Sequence, residues 1–177
     1  MSPRAISSLA KALSIFLLIA SILIPVMFFA FVVFANSLEL SLLGNATINL
    51  QADDFTPTMR AILGLFALGY LTPLLVGFAG LRQTFDEAAA GRWLSAMSVA
   101  GFQRFAWANL ALLVYEIFGG AFLVTYVRLQ QVPNQISFMF GLTTEFFTAL
   151  FIALAILVVA HIFAAGRNAY EENQTFV

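Results

Sequence analysis

The chain has no cysteine and only one histidine among its 177 residues. Without cysteine it cannot form disulfides, thiolate nucleophiles, iron–sulfur clusters or cysteine-ligated zinc sites. With a single histidine, one chain cannot hold a haem between two imidazoles. The sequence also offers no catalytic triad, no phosphate-binding loop and no cluster of metal ligands. We therefore predict no enzymatic activity, no cofactor and no metal site.

Charge is also scarce. Charged residues make up 10% of the chain and hydrophobic residues 62%, whereas soluble domains have about 25% charged and about 45–50% apolar residues. The eight basic and nine acidic residues give a net charge of −1, which leaves no basic surface for nucleic acid. With a mean hydropathy of +0.95, the composition predicts a lipid bilayer as the surroundings and no direct nucleic-acid partner.

Long apolar runs are what the chain does have. Residues 12–38, 61–81 and 146–166 carry no charge, and Glu116 alone interrupts the run 105–127. About 20 helical residues cross a hydrocarbon core of ~30 Å. The sequence therefore predicts an all-α membrane protein, a single membrane domain over 1–177, with four transmembrane helices at about 13–34, 58–81, 105–126 and 142–164. The first run is too long for the apolar region of a secretory signal, so we expect it to be kept as a helix.

The segment between the first two helices has a different pattern. Apolar side chains alternate with polar ones on both sides of Gly44-Asn45, at Leu38, Leu40, Leu42, Ile48 and Leu50. Alternation around such a dipeptide is typical of a β-hairpin. We predict a small extracytoplasmic hairpin here, with an irregular loop as the alternative.

The distribution of basic residues predicts the orientation. Six of the eight flank one side of the predicted helices: Arg4, Lys11, Arg82, Arg92, Arg104 and Arg167. Only Arg60 and Arg128 flank the other side. Because cytoplasmic flanks are enriched in Lys and Arg, we predict a multi-pass protein of the inner (plasma) membrane with both termini in the cytoplasm.

Small residues recur on the second helix. Gly69, Pro73 and Gly77 are spaced by four, so they lie along one face. Such a stripe allows a neighbouring helix to approach closely. We interpret it as a packing surface, with a hinge at Pro73 as the alternative.

Two segments carry a resemblance to a known family. One is Phe85-Asp86-Glu87 followed by Gly91-Arg92, Ser95 and Arg104, and the other is Ile162-Phe163-Ala164-Ala165-Gly166 followed by Glu171-Glu172-Asn173-Gln174-Thr175-Phe176-Val177. Together with the spacing of the four helices, they make the chain resemble the DUF2975 family of small bacterial four-helix membrane proteins. That family has no established chemistry. The resemblance implies an association with a small helix-turn-helix regulator.

Glu116 is the most unusual polar residue, since it falls in the middle of the third predicted helix. A carboxyl at that depth is expected to face protein or water rather than lipid. Glu116 and Tyr70 each lie ~16 Å from the cytoplasmic ends of their helices, so we predict a hydrogen bond between them. Either Glu116 is a structural, protonated side chain or it forms a proton, ion or ligand site.

A second polar pair is predicted nearer the cytoplasmic surface. His161 lies ~7 Å and Asn109 ~6 Å from the ends of their helices, a level at which they could pair. The alternatives are a packing role for His161 or a role as a sensor or ligand.

The remaining charged residues suggest how the chain acts. We predict a regulatory or accessory protein that binds a cytoplasmic protein partner through residues at the helix ends: Arg82, Asp86, Glu87, Arg92, Arg104, Glu171 and Glu172. The alternatives are a subunit of a larger respiratory or transport complex and a small transporter that uses Glu116. A homo-oligomer is compatible with each of these.

Overall fold

The computed structural model describes residues 3–35, 37–42, 46–131 and 144–175. Within them lie four α-helices, α1 (Pro3–Phe34), α2 (Pro57–Ala89), α3 (Ala96–Gln131) and α4 (Thr144–Thr175), and one turn of 3₁₀ helix (Ala52–Asp54). Each α-helix is long and apolar enough to cross a membrane. The predicted all-α class with four transmembrane helices is therefore confirmed, and the chain is a multi-pass membrane protein.

The helices are longer than the hydropathy pattern predicts. α2 continues past Leu81 to Ala89, α3 begins at Ala96 rather than Phe105, and α4 continues to Thr175. The reason is that apolar runs mark only the part of a helix that hydrocarbon can cover, while Ala, Arg, Glu and Gln beyond it are also good helix formers. The predicted first residues of the fourth helix, 142 and 143, lie outside the described residues.

A two-stranded antiparallel sheet connects α1 to α2. Its strands are β1 (Leu38–Leu42) and β2 (Ala46–Leu50), with Leu38 opposite Leu50 and Leu42 opposite Ala46. Both strands occur where the alternation predicts a hairpin, and the predicted Gly44-Asn45 turn lies outside the described residues. Leu38 and Leu50 are buried in one apolar cluster with Phe55, which precedes α2, and with residues of α2 and α3: Met59, Leu63, Leu123, Val124 and Val127. The hairpin is thus packed onto the ends of these two helices.

Neighbours in sequence are neighbours in space. α1 packs against α2, α2 against α3 and α3 against α4, whereas α1 and α4 share no comparable interface in the described residues. In the most apolar parts of α1 and α4 only 6% and 11% of residues are buried, against 22% and 28% in α2 and α3. α2 and α3 therefore form the centre of the protein, and α1 and α4 leave most of their surface for lipid or for another chain.

The two ends of the helical row differ. Ser7 Oγ near the start of α1 donates to the carbonyl of Ala89 at 2.6 Å, and the ring of Phe163 on α4 lies 5.5 Å from that of Phe102. The start of α1, the α2–α3 connection and the last part of α4 are therefore at one end, which we name the turn end. The opposite end, with β1 and β2, is the hairpin end.

Glycines set the closeness of α2 and α3. A Cβ added to Gly80 would lie 2.5 Å from the backbone oxygen of Gly101, and one added to Gly77 would lie 3.2 Å from the Cβ of Ala108. Gly69 is covered by the side chain of Tyr115. The small-residue stripe is thus a packing surface, as its spacing predicts, and near the turn end the two backbones touch directly.

Candidate functional site

Glu116 lies on the inward-facing stripe of α3. Leu113, three residues before it, and Leu123, seven residues after it, are 6% and 0% exposed, and Gly120 is also buried. Residues at these spacings share one face of a helix. Glu116 itself is only partly exposed, which agrees with its position on this stripe.

The predicted hydrogen bond between Tyr70 and Glu116 is not formed. Tyr70 is close enough to Glu116 to interact electrostatically, but its ring stacks on Phe28 of α1 with centroids 6.1 Å apart. Among the described residues the Glu116 carboxyl has no hydrogen bond and no ion pair. Matching depths placed the two residues at one level, but depth carries no information about the direction in which each side chain leaves its helix.

Tyr115, the residue before Glu116, makes the contact that sequence reasoning missed. Its hydroxyl donates to the carbonyl of Phe66 at 2.9 Å, and the two rings are 5.6 Å apart. The ring occupies the space left by Gly69 and Gly119. A tyrosine four residues before a glycine, at the depth of a glycine on the facing helix, is the signal that could have revealed it.

His161 and Asn109 are not paired either. His161 is exposed, and its Nδ1 lies 2.8 Å from the carbonyl of Leu157 one turn earlier. α4 directs Ala153 and Ala160 inward, since these are 2% and 0% exposed. His161 is the next residue after Ala160 and therefore points about 100° away from that face. Asn109 makes no hydrogen bond within the described part of the chain.

The α2–α3 connection is held by a compact polar network. Glu87 accepts from Arg92 Nε at 2.9 Å, from Arg92 Nη2 at 2.8 Å and from Ser95 Oγ at 2.7 Å. Ser95 Oγ in turn accepts from the backbone N–H of Ser98 at 3.0 Å and so caps α3. We call the Glu87, Arg92 and Ser95 side chains the turn clamp.

Backbone geometry reinforces the turn clamp. Gly91 has φ +78°, and the N–H groups of Gly91 and Arg92 donate to the carbonyls of Ala88 and Glu87. This is the Schellman arrangement that ends helices at a glycine. The clamp lies beyond the uncharged membrane-spanning stretch 61–81. In the clamp, hydrogen bonds from Arg92 and Ser95 lower the pKa of Glu87 to about 2.

The other predicted partner-binding residues also lie at the turn end, where Arg82 and Asp86 contact each other. Asp86 accepts from Ser14 Oγ of α1 at 2.5 Å and lies 3.8 Å from Arg82 Nε. Arg104 Nη1 is 3.4 Å from Gln83 Oε1. On α4, Arg167 pairs with Glu171 at 2.6 Å, and Glu172 is exposed. The structure therefore ties α1 to α2 through Ser14 and Asp86 and α3 to α2 through Arg104 and Gln83, while Arg167 and Glu171 pair within α4.

Arg60 has a structural role that the sequence did not reveal. Its Nη1 donates to the carbonyls of Val32 and Val33 at 2.7 and 2.6 Å, and its Nη2 to that of Ala35 at 3.2 Å. Its guanidinium also lies 5.1 Å from the ring centre of Phe55. Because carbonyls at a helix C-terminus lack partners within the helix, this cation ties the end of α1 to α2.

Comparisons with known proteins add no identification. No protein-family model, no curated protein and no solved structure matches the chain. The resemblance to the DUF2975 family thus stays a prediction. Among the described residues, no three His, Asp or Glu side chains group closely enough to hold a metal ion.

Proposed function

We propose that this chain is an inner-membrane protein with a regulatory or accessory role, and that it acts by binding a cytoplasmic protein at the turn end. One observation carries the proposal: all four helices continue past their uncharged stretches at that end. We name the protruding parts, residues 3–11, 82–104 and 167–175, the helical platform. The part of α2 after Leu81 alone adds ~12 Å, which is enough to present protein surface beyond the hydrocarbon.

Contacts within the chain hold the central part of the helical platform, around residues 82–104. The turn clamp fixes the α2–α3 connection, and Ser14 ties α1 to Asp86. A preorganised surface loses less conformational entropy on binding than a mobile one. Since the charged side chains mostly satisfy one another, the exposed Trp93, Met97 and Tyr170 are the better candidates for contact residues, and these residue types are enriched in interfaces.

The orientation follows from the basic residues. Arg4, Lys11, Arg82, Arg92, Arg104 and Arg167 all belong to the helical platform, and the positive-inside rule assigns such a surface to the cytoplasm. The absence of cysteine makes single-cysteine labelling a direct test. We expect an impermeant maleimide to label Asp53→Cys, at the hairpin end, in intact cells and Asn168→Cys only after permeabilisation; the reverse pattern would refute the orientation.

The partner can be sought by photocrosslinking in native membranes. A photoreactive residue at Met97, on the helical platform, is compared with one at Leu65, which is exposed within the span of α2. We expect Met97 to yield one protein adduct that disappears when Trp93 is replaced by Ser, and Leu65 to yield none. The family resemblance makes a small helix-turn-helix regulator the expected adduct. No adduct at Met97, Trp93 or Tyr170 would argue against the proposal.

A second candidate function is a subunit of a larger membrane complex. It is favoured by the exposure of α1 and α4, whose apolar surfaces are far less covered than those of α2 and α3. Mild-detergent extraction followed by native electrophoresis distinguishes the two. A stable assembly with other integral membrane proteins supports this second function, and a chain that migrates alone or only with a soluble protein supports the first.

A further inference from the structure

Tyr70 and Glu116 mark one face of the α2–α3 pair. Tyr70 follows Gly69, which faces α3, and its ring contacts Phe28 of α1. It therefore lies on α2 between the sides that contact α3 and α1. Because successive residues differ by about 100° around a helix, this side of α2 faces the space bounded by α1 and α3.

The same argument applies to α3. Glu116 follows Tyr115, which contacts α2, and lies on the stripe that starts with Phe102, which contacts Phe163 of α4. Glu116 thus faces the space bounded by α2 and α4. Gly69 and Tyr115 face each other, and α2 and α3 run in opposite directions, so the step of about 100° to the next residue turns Tyr70 and Glu116 to the same side of the α2–α3 pair.

It follows that α1 and α4 flank a common space. Both stand on the side of the α2–α3 pair to which Tyr70 and Glu116 point, yet within the described residues they share no interface of the kind that joins neighbouring helices. We infer from this arrangement that the space between them is a cleft that opens laterally into the membrane. We name it the α1–α4 cleft, and Glu116 lies at its base.

The chemistry of the cleft is set by Glu116. Ionisable side chains inside a bilayer pair with one another or line water-filled spaces, and Glu116 has neither hydrogen bond nor ion pair among the described residues. A carboxyl in this position is complemented by a basic side chain at the same depth. A second copy of the chain in the same orientation does not supply one at this depth, because its uncharged runs contain no Lys or Arg and its His161 lies ~9 Å nearer the turn end than Glu116.

We propose that the α1–α4 cleft binds one transmembrane helix of a different membrane protein, and that a Lys or Arg in the middle of this helix pairs with Glu116. The inference concerns contact within the bilayer and does not involve the helical platform, so it rests on the second candidate function, a subunit of a larger membrane complex. The peptide experiment below tests the cleft itself, and the native electrophoresis above tests that function. It also gives Glu116 a role that requires neither transport nor catalysis.

The test uses the full chain in phosphatidylcholine vesicles, with a fluorophore on Asn168→Cys. The probes are synthetic Leu/Ala transmembrane peptides that carry a quencher and differ only in one residue: a central Lys, a central Leu, or a Lys displaced by seven positions, ~10 Å along the helix. We expect the central-Lys peptide to bind the protein at least about tenfold more tightly than the other two. Equal binding of the three peptides would overturn the proposal without any substitution at Glu116.

Two variants assign the preference to the cleft. Glu116→Gln keeps the shape and removes the charge, so the preference for the central-Lys peptide should be lost. The double variant Glu116→Val with Val114→Glu keeps the composition and nearly the depth, but moves the carboxyl to Val114, which is 46% exposed on another side of α3. Loss of the preference in both supports the cleft. If either folded variant retained the preference for the central-Lys peptide, the carboxyl at the base of the cleft would not be the binding group.

Discussion

The contact between Gly80 and Gly101 permits a quantitative prediction. An added Cβ at Gly80 would be 2.5 Å from the Gly101 oxygen, whereas a relaxed C···O contact needs about 3.3 Å. α2 and α3 must therefore separate by roughly 0.8 Å, and gaps of that size forfeit a quarter to a half of each dispersion contact. Since the obstacle is backbone and cannot rotate away, we expect Gly80→Ala to cost about 2–3 kcal/mol, in the upper part of the range for overpacking.

The assay is reversible unfolding in mixed micelles with increasing SDS, followed by far-UV circular dichroism. Gly64→Ala is the matched control on the same helix, because its Cβ would meet only Val32 at an ordinary 3.9 Å. Gly101→Ala should cost about as much as Gly80→Ala, since its Cβ would lie 2.6 Å from the Gly80 oxygen. One separation relieves both clashes, so the double variant should lose less stability than the sum of the two. Unchanged stability of Gly80→Ala, or strict additivity, would refute direct backbone contact.

Three further predictions concern the polar contacts and the turn. Arg60→Gln should lower the free energy of unfolding by about 1 kcal/mol, since charged hydrogen bonds at a partly exposed site are lost. It should also speed amide hydrogen exchange in the last turn of α1, whereas Arg60→Lys should retain part of the protection from exchange. Gly91→Ala should cost about 1–2 kcal/mol because its φ of +78° disfavours a side chain, with Gly91→Asn less affected in the same unfolding assay, and equal stability of the Ala variant would contradict this. Glu87→Gln should be less stable than wild type at pH 7. Because the folded pKa of Glu87 is lowered to about 2, the stability difference is complete above the ordinary carboxyl pKa, declines as the pH falls below it, and is lost near pH 2. A difference that stays constant from pH 7 to 2 in thermal unfolding would exclude the turn clamp as its source.

Sequence patterns predicted the positions of the membrane spans and the strands, but not the helix ends beyond the bilayer or the directions of side chains. Uncharged runs located the four spans, because hydrocarbon excludes charge, and the alternation around 44–45 located both strands. The uncharged apolar runs could not show that α2 continues to Ala89, since helix formation beyond the bilayer depends on helix propensity and capping. Depth likewise placed Tyr70 and Glu116 at the same level, but it could not show that the Tyr70 ring stacks on Phe28 of α1 instead of donating to Glu116.

Long-range contacts were inaccessible for another reason. Arg60 meets carbonyls 25 to 28 residues earlier in the chain, and no local pattern specifies which helix end a cation will reach. The turn clamp is the opposite case, because Glu87, Gly91, Arg92 and Ser95 lie within nine consecutive residues. A glutamate five residues before an arginine, with a glycine between them, indicates a closed turn, yet Glu87 and Arg92 were predicted to bind a partner.

The short range of the turn clamp also bears on how the chain enters the membrane during synthesis. Its bonds span five and eight residues, so closing them costs little loop entropy, and α2 with α3 can form a helical hairpin once residue 131 has been made. α1 is joined to that hairpin by bonds spanning 72 and 82 residues, and α4 is made last. We therefore expect substitutions at Gly80 or Gly91 to reduce the yield of inserted protein in pulse-labelled cells. Substitutions on the exposed surface of α4 should leave insertion unchanged and affect only the finished molecule.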